Sequence, residues 1–151
     1  MPIDPPTQAR RRGENARDRG MDLASRRAAW TVQRDTLRFL EALAGRRDHS
    51  ATTDDAVGDL AGEYADGGKW RGSIPLGLAR AGLIASAGVR VSDRASRHRG
   101  LVRVWRAMDL AGIERRRDEL RRWLADHPEP AEPVSASLFG DLGEGTVDHA
   151  R

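Results

Sequence analysis

The chain has 151 residues, 38% hydrophobic and 32% charged, with a formal charge of +3 and no cysteine. That size and composition allow one modest domain with polar ends; the missing cysteine excludes disulfides, thiolate metal sites and a cysteine nucleophile, and agrees with a reducing cytosol. No apolar run approaches the ~20 residues of a membrane span, and residues 1–20 lack the apolar stretch of a secretory signal, so the expectation is a soluble, cytoplasmic protein with no membrane partner.

Residues 1–20 hold Pro2, Pro5, Pro6, Gly13 and Gly20 among charges, including the basic cluster Arg10, Arg11 and Arg12. They carry too little apolar surface to offset chain entropy and read as a disordered basic arm. From Met21 to Leu43 the pattern is helical, with Val32, Thr36, Phe39, Leu40 and Leu43 on one stripe and Gly45 as the stop. Asp48 to Thr53 reads as a polar loop. Thr52 or Thr53 then caps a short second helix whose first turn holds Asp54 and Asp55, with Ala56, Val57, Leu60 and Ala61 inward. Asp66-Gly67-Gly68 is a turn signal.

A third helix follows, with Ser73 as candidate cap and Pro75 in the first turn, where its missing N–H costs no intrahelical bond. Ile74, Leu78 and Ala81 share its inner face, and Gly82 ends it in a left-handed conformation. After Gly88 the period drops to two: Val89 and Val91 alternate with Arg90 and Ser92, and Val102 and Val104 flank Arg103. This predicts a hairpin with a long, polar, arginine-rich and solvated tip from Asp93 to Gly100. A last helix, from about Met108 to Leu124, carries the stripe Leu110, Ile113, Leu120 and Leu124, long enough to pair two subunits of a homodimer or to pack on the first helix. His127-Pro128-Glu129-Pro130 ends it. Residues 129–151 are acidic and rich in proline and glycine, and read as a disordered tail. The expected parts are thus 1–20, an arm; 21–107, the domain; 108–128, a C-terminal helix; and 129–151, a tail.

Charge is segregated. Residues 90–106 carry six arginines against Asp93, a net +5; residues 125–151 carry six acids against Arg151, a net −5; residues 50–69 carry five acids against Lys69, a net −4. One basic stripe between acidic stretches suits a face that meets a polyanion. Only one lysine stands against 25 arginines, so part of the stripe reflects a general preference for arginine.

Helix, helix, helix, hairpin, in this order, with the runs Lys69–Ile84 (KWRGSIPLGLARAGLI) and Ser96–Trp105 (SRHRGLVRVW), resembles the winged helix-turn-helix family of small bacterial and phage proteins. The resemblance covers roughly residues 30–107. It implies a mainly α fold with a small β-hairpin, three helices plus a wing, followed here by the C-terminal helix. It also implies a transcriptional regulator or replication accessory that binds double-stranded DNA. On that reading the third helix offers Lys69, Arg71, Ser73 and Arg80 to the major groove and its flanking phosphates, and the wing offers Arg94, Ser96, Arg97, His98 and Arg99 to phosphates or a minor groove. Pro75 and Gly77 depart from a strong recognition helix and predict a short one.

No catalytic or cofactor pattern stands out, and the expectation is a protein without enzymatic activity, metal or cofactor. The histidines, His49, His98, His127 and His149, have no metal-ligand spacing. Gly67-Gly68-Lys69 lacks the rest of a phosphate loop, and the glycines of 140–145 lack a strand before them. Asp54, Asp55 and Asp59 are explained by capping and a solvated face rather than by magnesium. Trp30, Trp70, Trp105 and Trp123 read as packing residues. In the tail, Ser137-Leu138-Phe139 resembles the end of the peptide by which bacterial replication and repair proteins dock on the sliding clamp. Leu138 and Phe139 are therefore candidate anchors for a replication or transcription partner. The residues leave a non-catalytic protein–protein adaptor open beside the DNA-binding reading.

Overall fold

The structure, a computed structural model, describes residues 8–57, 72–93 and 100–131. It is mainly helical with one small antiparallel sheet. The order is α1 (Gln8–Gly45), β1 (Ser50–Ala51), α2 (Thr53–Val57), α3 (Ser73–Arg80), β2 (Ile84–Val91), β3 (Leu101–Ala107) and α4 (Leu110–Asp126). No helix among the described residues is long and apolar enough to cross a membrane.

The stripe on α1 does what its spacing predicts: Phe39, Leu40 and Leu43 are fully buried, with Thr36 beside them. They meet Ile74 and Leu78 of α3, Ile84 and Trp105 of the sheet, and Ile113 and Leu120 of α4 in one core. The α4 stripe is thus used within the chain, on α1. That packing is reinforced by Arg121 on Glu41 at 3.1 Å and by the Trp30 indole N–H donating to the His127 carbonyl at 2.9 Å. Leu110, the first residue of the expected stripe, is exposed. The helix starts there because Asp109 caps it, accepting from the Gly112 N–H at 2.8 Å.

Two elements differ from expectation. First, α1 begins at Gln8 instead of Met21, and so takes in most of the stretch read as a disordered arm. Residues 11–22 are solvent-exposed throughout and carry no apolar stripe. Local contacts support the helix there: Arg19 Nε donates to the Asn15 carbonyl, and Arg26 pairs with Asp22 one turn away. Second, the polar loop at 48–53 contains a strand. Asp48 accepts from the Ser50 hydroxyl and N–H, bonds that hold its carboxyl below the usual range, and the chain turns at His49, φ 47°. Ser50 and Ala51 then pair with Arg106 and Trp105, giving the sheet order β1-β3-β2.

The hairpin register sets the faces of the two strands. Val91 lies opposite Leu101, Val89 opposite Arg103, and Arg90 opposite Val102, so the two valine pairs fall on opposite faces. An irregularity between Ser86 and Gly88, with Gly88 at φ 125°, shifts the pleat by one residue. Val89 and Val91 are 62% and 52% exposed, whereas Ser92 is 2% exposed.

Candidate nucleic-acid interface

The third helix is short, as Pro75 and Gly77 predict: eight residues, Ser73 to Arg80. Ile74, Pro75 and Leu78 are buried, so the opposite face is fixed outward. Ser73, Leu76, Gly77 and Arg80 lie on it, all exposed, at spacings of three, four and seven. Ser73 is the first helical residue and not the cap; that position belongs to Gly72, with no side-chain capping bond. Ala81, expected inward, is exposed at the C-terminal cap.

The exit from α3 is tightly specified. Gly82 adopts φ 75°, its N–H donates to Ala79, and the Leu83 N–H reaches back to Leu78, both at 3.0 Å. This pair of bonds satisfies the last helical carbonyls and turns the chain sharply into β2. The Leu83 carbonyl in turn accepts from Met108 and Asp109, so the end of α3, the base of the hairpin and the start of α4 meet at one point.

At the other end, the hairpin is clasped by α2. Thr52 and Asp55 form a reciprocal cap: the Asp55 carboxylate accepts from the Thr52 N–H at 2.6 Å and from its hydroxyl at 2.9 Å, and Thr52 Oγ1 faces the Asp55 N–H at 3.4 Å. The same carboxylate accepts from Arg90 Nη2 at 2.7 Å and Arg46 Nη2 at 2.6 Å. The Ser92 hydroxyl donates to Asp54. Burial pushes the Asp55 carboxyl up, but the bonds from Thr52 and Arg90 outweigh it and hold it below the ordinary carboxylate range. Asp54 and Asp55 are therefore more than cap and solvated face. Arg90, a member of the basic stripe, is spent on Asp55 and Thr52.

Ser92 N–H donates to the Gly100 carbonyl at 2.9 Å and closes the base of the hairpin tip. Arg103 and Arg106 point to solvent on opposite faces of β3, Arg103 with its guanidinium 5.5 Å from the Trp105 ring centre. Of the candidate contacts, Ser73 and Arg80 are thus placed at the two ends of one exposed helix face. Lys69, Arg71, Arg94, Ser96, Arg97, His98, Arg99, Leu138 and Phe139 lie outside the described residues, as do Leu60, Ala61 and the turn at Asp66. Among the described residues no group of three or more His, Asp or Glu side chains is arranged to hold a metal ion.

Sequence reasoning missed Leu76, which is 45% exposed on the outer face of α3; its signal was the shared spacing with Ser73 and Arg80. It also missed the clasp, whose signal was the opposite charge of Asp54 and Asp55 on the one hand and Arg90 on the other. No known protein family, curated protein or solved structure matches this chain.

Proposed function

We propose that this is a non-catalytic, winged helix-turn-helix protein that binds duplex DNA. The observation that carries the reading is the place of β1. A two-residue strand between the first two helices pairs with β3, while α3 runs straight into the hairpin. Strand order β1-β3-β2, with α3 leading directly into β2, supports this reading. The outer face of α3 is narrow and small, with a cation at its end, and suits entry into a major groove. In sequence, Arg94, Arg97 and Arg99 fall between β2 and β3, the place from which a wing would meet phosphates. A regulator or a replication accessory of bacterial or phage type fits this reading equally.

A salt titration against arbitrary duplex DNA tests it. With Arg71, Arg80, Arg94, Arg97 and Arg99 each on a phosphate, affinity falls with salt at a log–log slope of about −4 to −5, each phosphate contributing roughly −0.9. Replacing Arg97 and Arg99 with alanine makes the slope shallower by about 2 and weakens all sequences alike. A flat salt response sinks the reading. The adaptor reading is favoured by one observation: Val89, Val91 and Leu101 form an exposed apolar group on one face of the hairpin. Replacing all three with serine leaves DNA binding intact if that face serves a protein partner.

A further inference from the structure

Three glycines near α3 and α4 have contrasting reasons to be glycine. Gly82 takes a left-handed turn at φ 75°. At Gly112 an added methyl would lie 2.3 Å from Asp109 Oδ2 and 2.7 Å from Leu83 Cδ2. Gly77 has neither reason. It is the fifth residue of an eight-residue helix with ordinary helical backbone, and among the described residues a methyl there would meet nothing within 4 Å. Glycine in a helix interior weakens the helix relative to alanine, and among the described residues no contact at Gly77 offsets that cost. Beside it stands Leu76, a large apolar side chain on a face that the fold leaves uncovered. Bare backbone at 77, a small residue at 73, an apolar group at 76 and a cation at 80 describe a surface that something anionic approaches closely while offering an apolar group.

Resting on the DNA-binding reading, we propose that Leu76 reads a thymine methyl in the major groove. Gly77 lets the helix backbone sit close to the base edges, and Arg80 meets the phosphate at the groove wall. Among the four bases the C5-methyl of thymine is the apolar group displayed in that groove. The small N-terminal turns of the helix face the bases while its C-terminal residue lies nearer the backbone, in keeping with how such helices enter DNA.

The test uses the full chain. A preferred duplex is selected from a random pool, and its thymines are replaced one at a time with deoxyuridine, which removes only the methyl. The expected result is a loss of about fourfold at one or two positions, the equivalent of one buried methyl group. In Leu76→Ala that thymine–uridine difference vanishes. Gly77→Ala melts higher than the parent, which shows that it folds, yet binds the parent duplex at least tenfold more weakly. Uridine duplexes bound as tightly as thymine duplexes, with duplex binding otherwise intact, overturn the methyl assignment and leave the DNA reading standing. So does a Leu76→Ala variant that still discriminates, or a Gly77→Ala variant that binds like the parent. Tighter binding on replacing a cytosine with 5-methylcytosine, without any loss at thymine, reassigns the methyl to modified DNA and overturns the proposal. Failure of the parent to bind any duplex overturns both readings.

Discussion

Asp55 is where helix capping and hairpin docking are made by one carboxylate. Its oxygens take hydrogen bonds from Thr52, Arg46 and Arg90, and its side chain is only 12% exposed. Losing those bonds costs roughly 1–2 kcal/mol, less than the ~3 kcal/mol ceiling for charged hydrogen bonds because both arginines are partly solvated. The carboxyl titrates below its ordinary value of about 4, so the unfolded chain takes up that proton before the folded one does. The stabilisation is complete above about pH 4 and is lost as pH falls through the lower folded value. Asp55→Asn should melt lower than the parent at pH 7, and its melting temperature should fall less between pH 5 and pH 2. Parallel melting curves for the two proteins would show that the carboxylate is not the group responsible. Gly112 supplies a second residue-level prediction. Gly112→Ala drives a methyl into the Asp109 cap and the Leu83 side chain, and should lower stability by about 1–3 kcal/mol in urea titration. An unchanged midpoint would mean that Asp109 swings aside and the cap is dispensable.

At the scale of elements, α1 divides in two. From Val32 to Leu43 it is held by the core; residues 11–22 are exposed, and the contacts described there are its own backbone ladder and neighbouring side chains. Isolated helices of that length are marginal in water. Amide exchange should therefore be fast over 11–22 and slow by orders of magnitude over 35–43, with a gradient between. Uniform protection along the helix would reveal a partner covering its first half. The same division explains what the sequence made legible. The inner stripes of α1, α3 and α4 are periodic because they face one core, and the Gly82 stop is written in a residue whose backbone freedom it needs. The first half of α1 has no core to face, so no period marks it. β1 is two residues long, too short for alternation to be visible. Which face of the hairpin turns inward was not legible, because the irregularity at Ser86–Gly88 shifts the pleat, and a period of two does not reveal where it slips by one. Leu76 was overlooked because attention to charge on the outer face of α3 passed over an apolar residue with the same spacing.

Across the whole molecule, the abundance of arginine divides into structural and outward parts. Arg90 and Arg46 serve α2, Arg121 ties α4 to α1, and Arg116 and Arg117 pair with glutamates along α4. Arg80, Arg103 and Arg106 remain on exposed faces of α3 and β3. Of the basic stripe from 90 to 106, Arg90 is thus used inside the fold, while Arg103 and Arg106 face outward. The 38-residue span of α1 has a consequence of a different kind. At 1.5 Å per residue that helix is ~57 Å long, whereas a compact globule of 100 residues has a radius of gyration of only ~13 Å. While it is fully formed, the rod outreaches a globule of that size. It then slows tumbling end over end relative to spinning about its own axis, and fraying of residues 11–22 removes part of that difference.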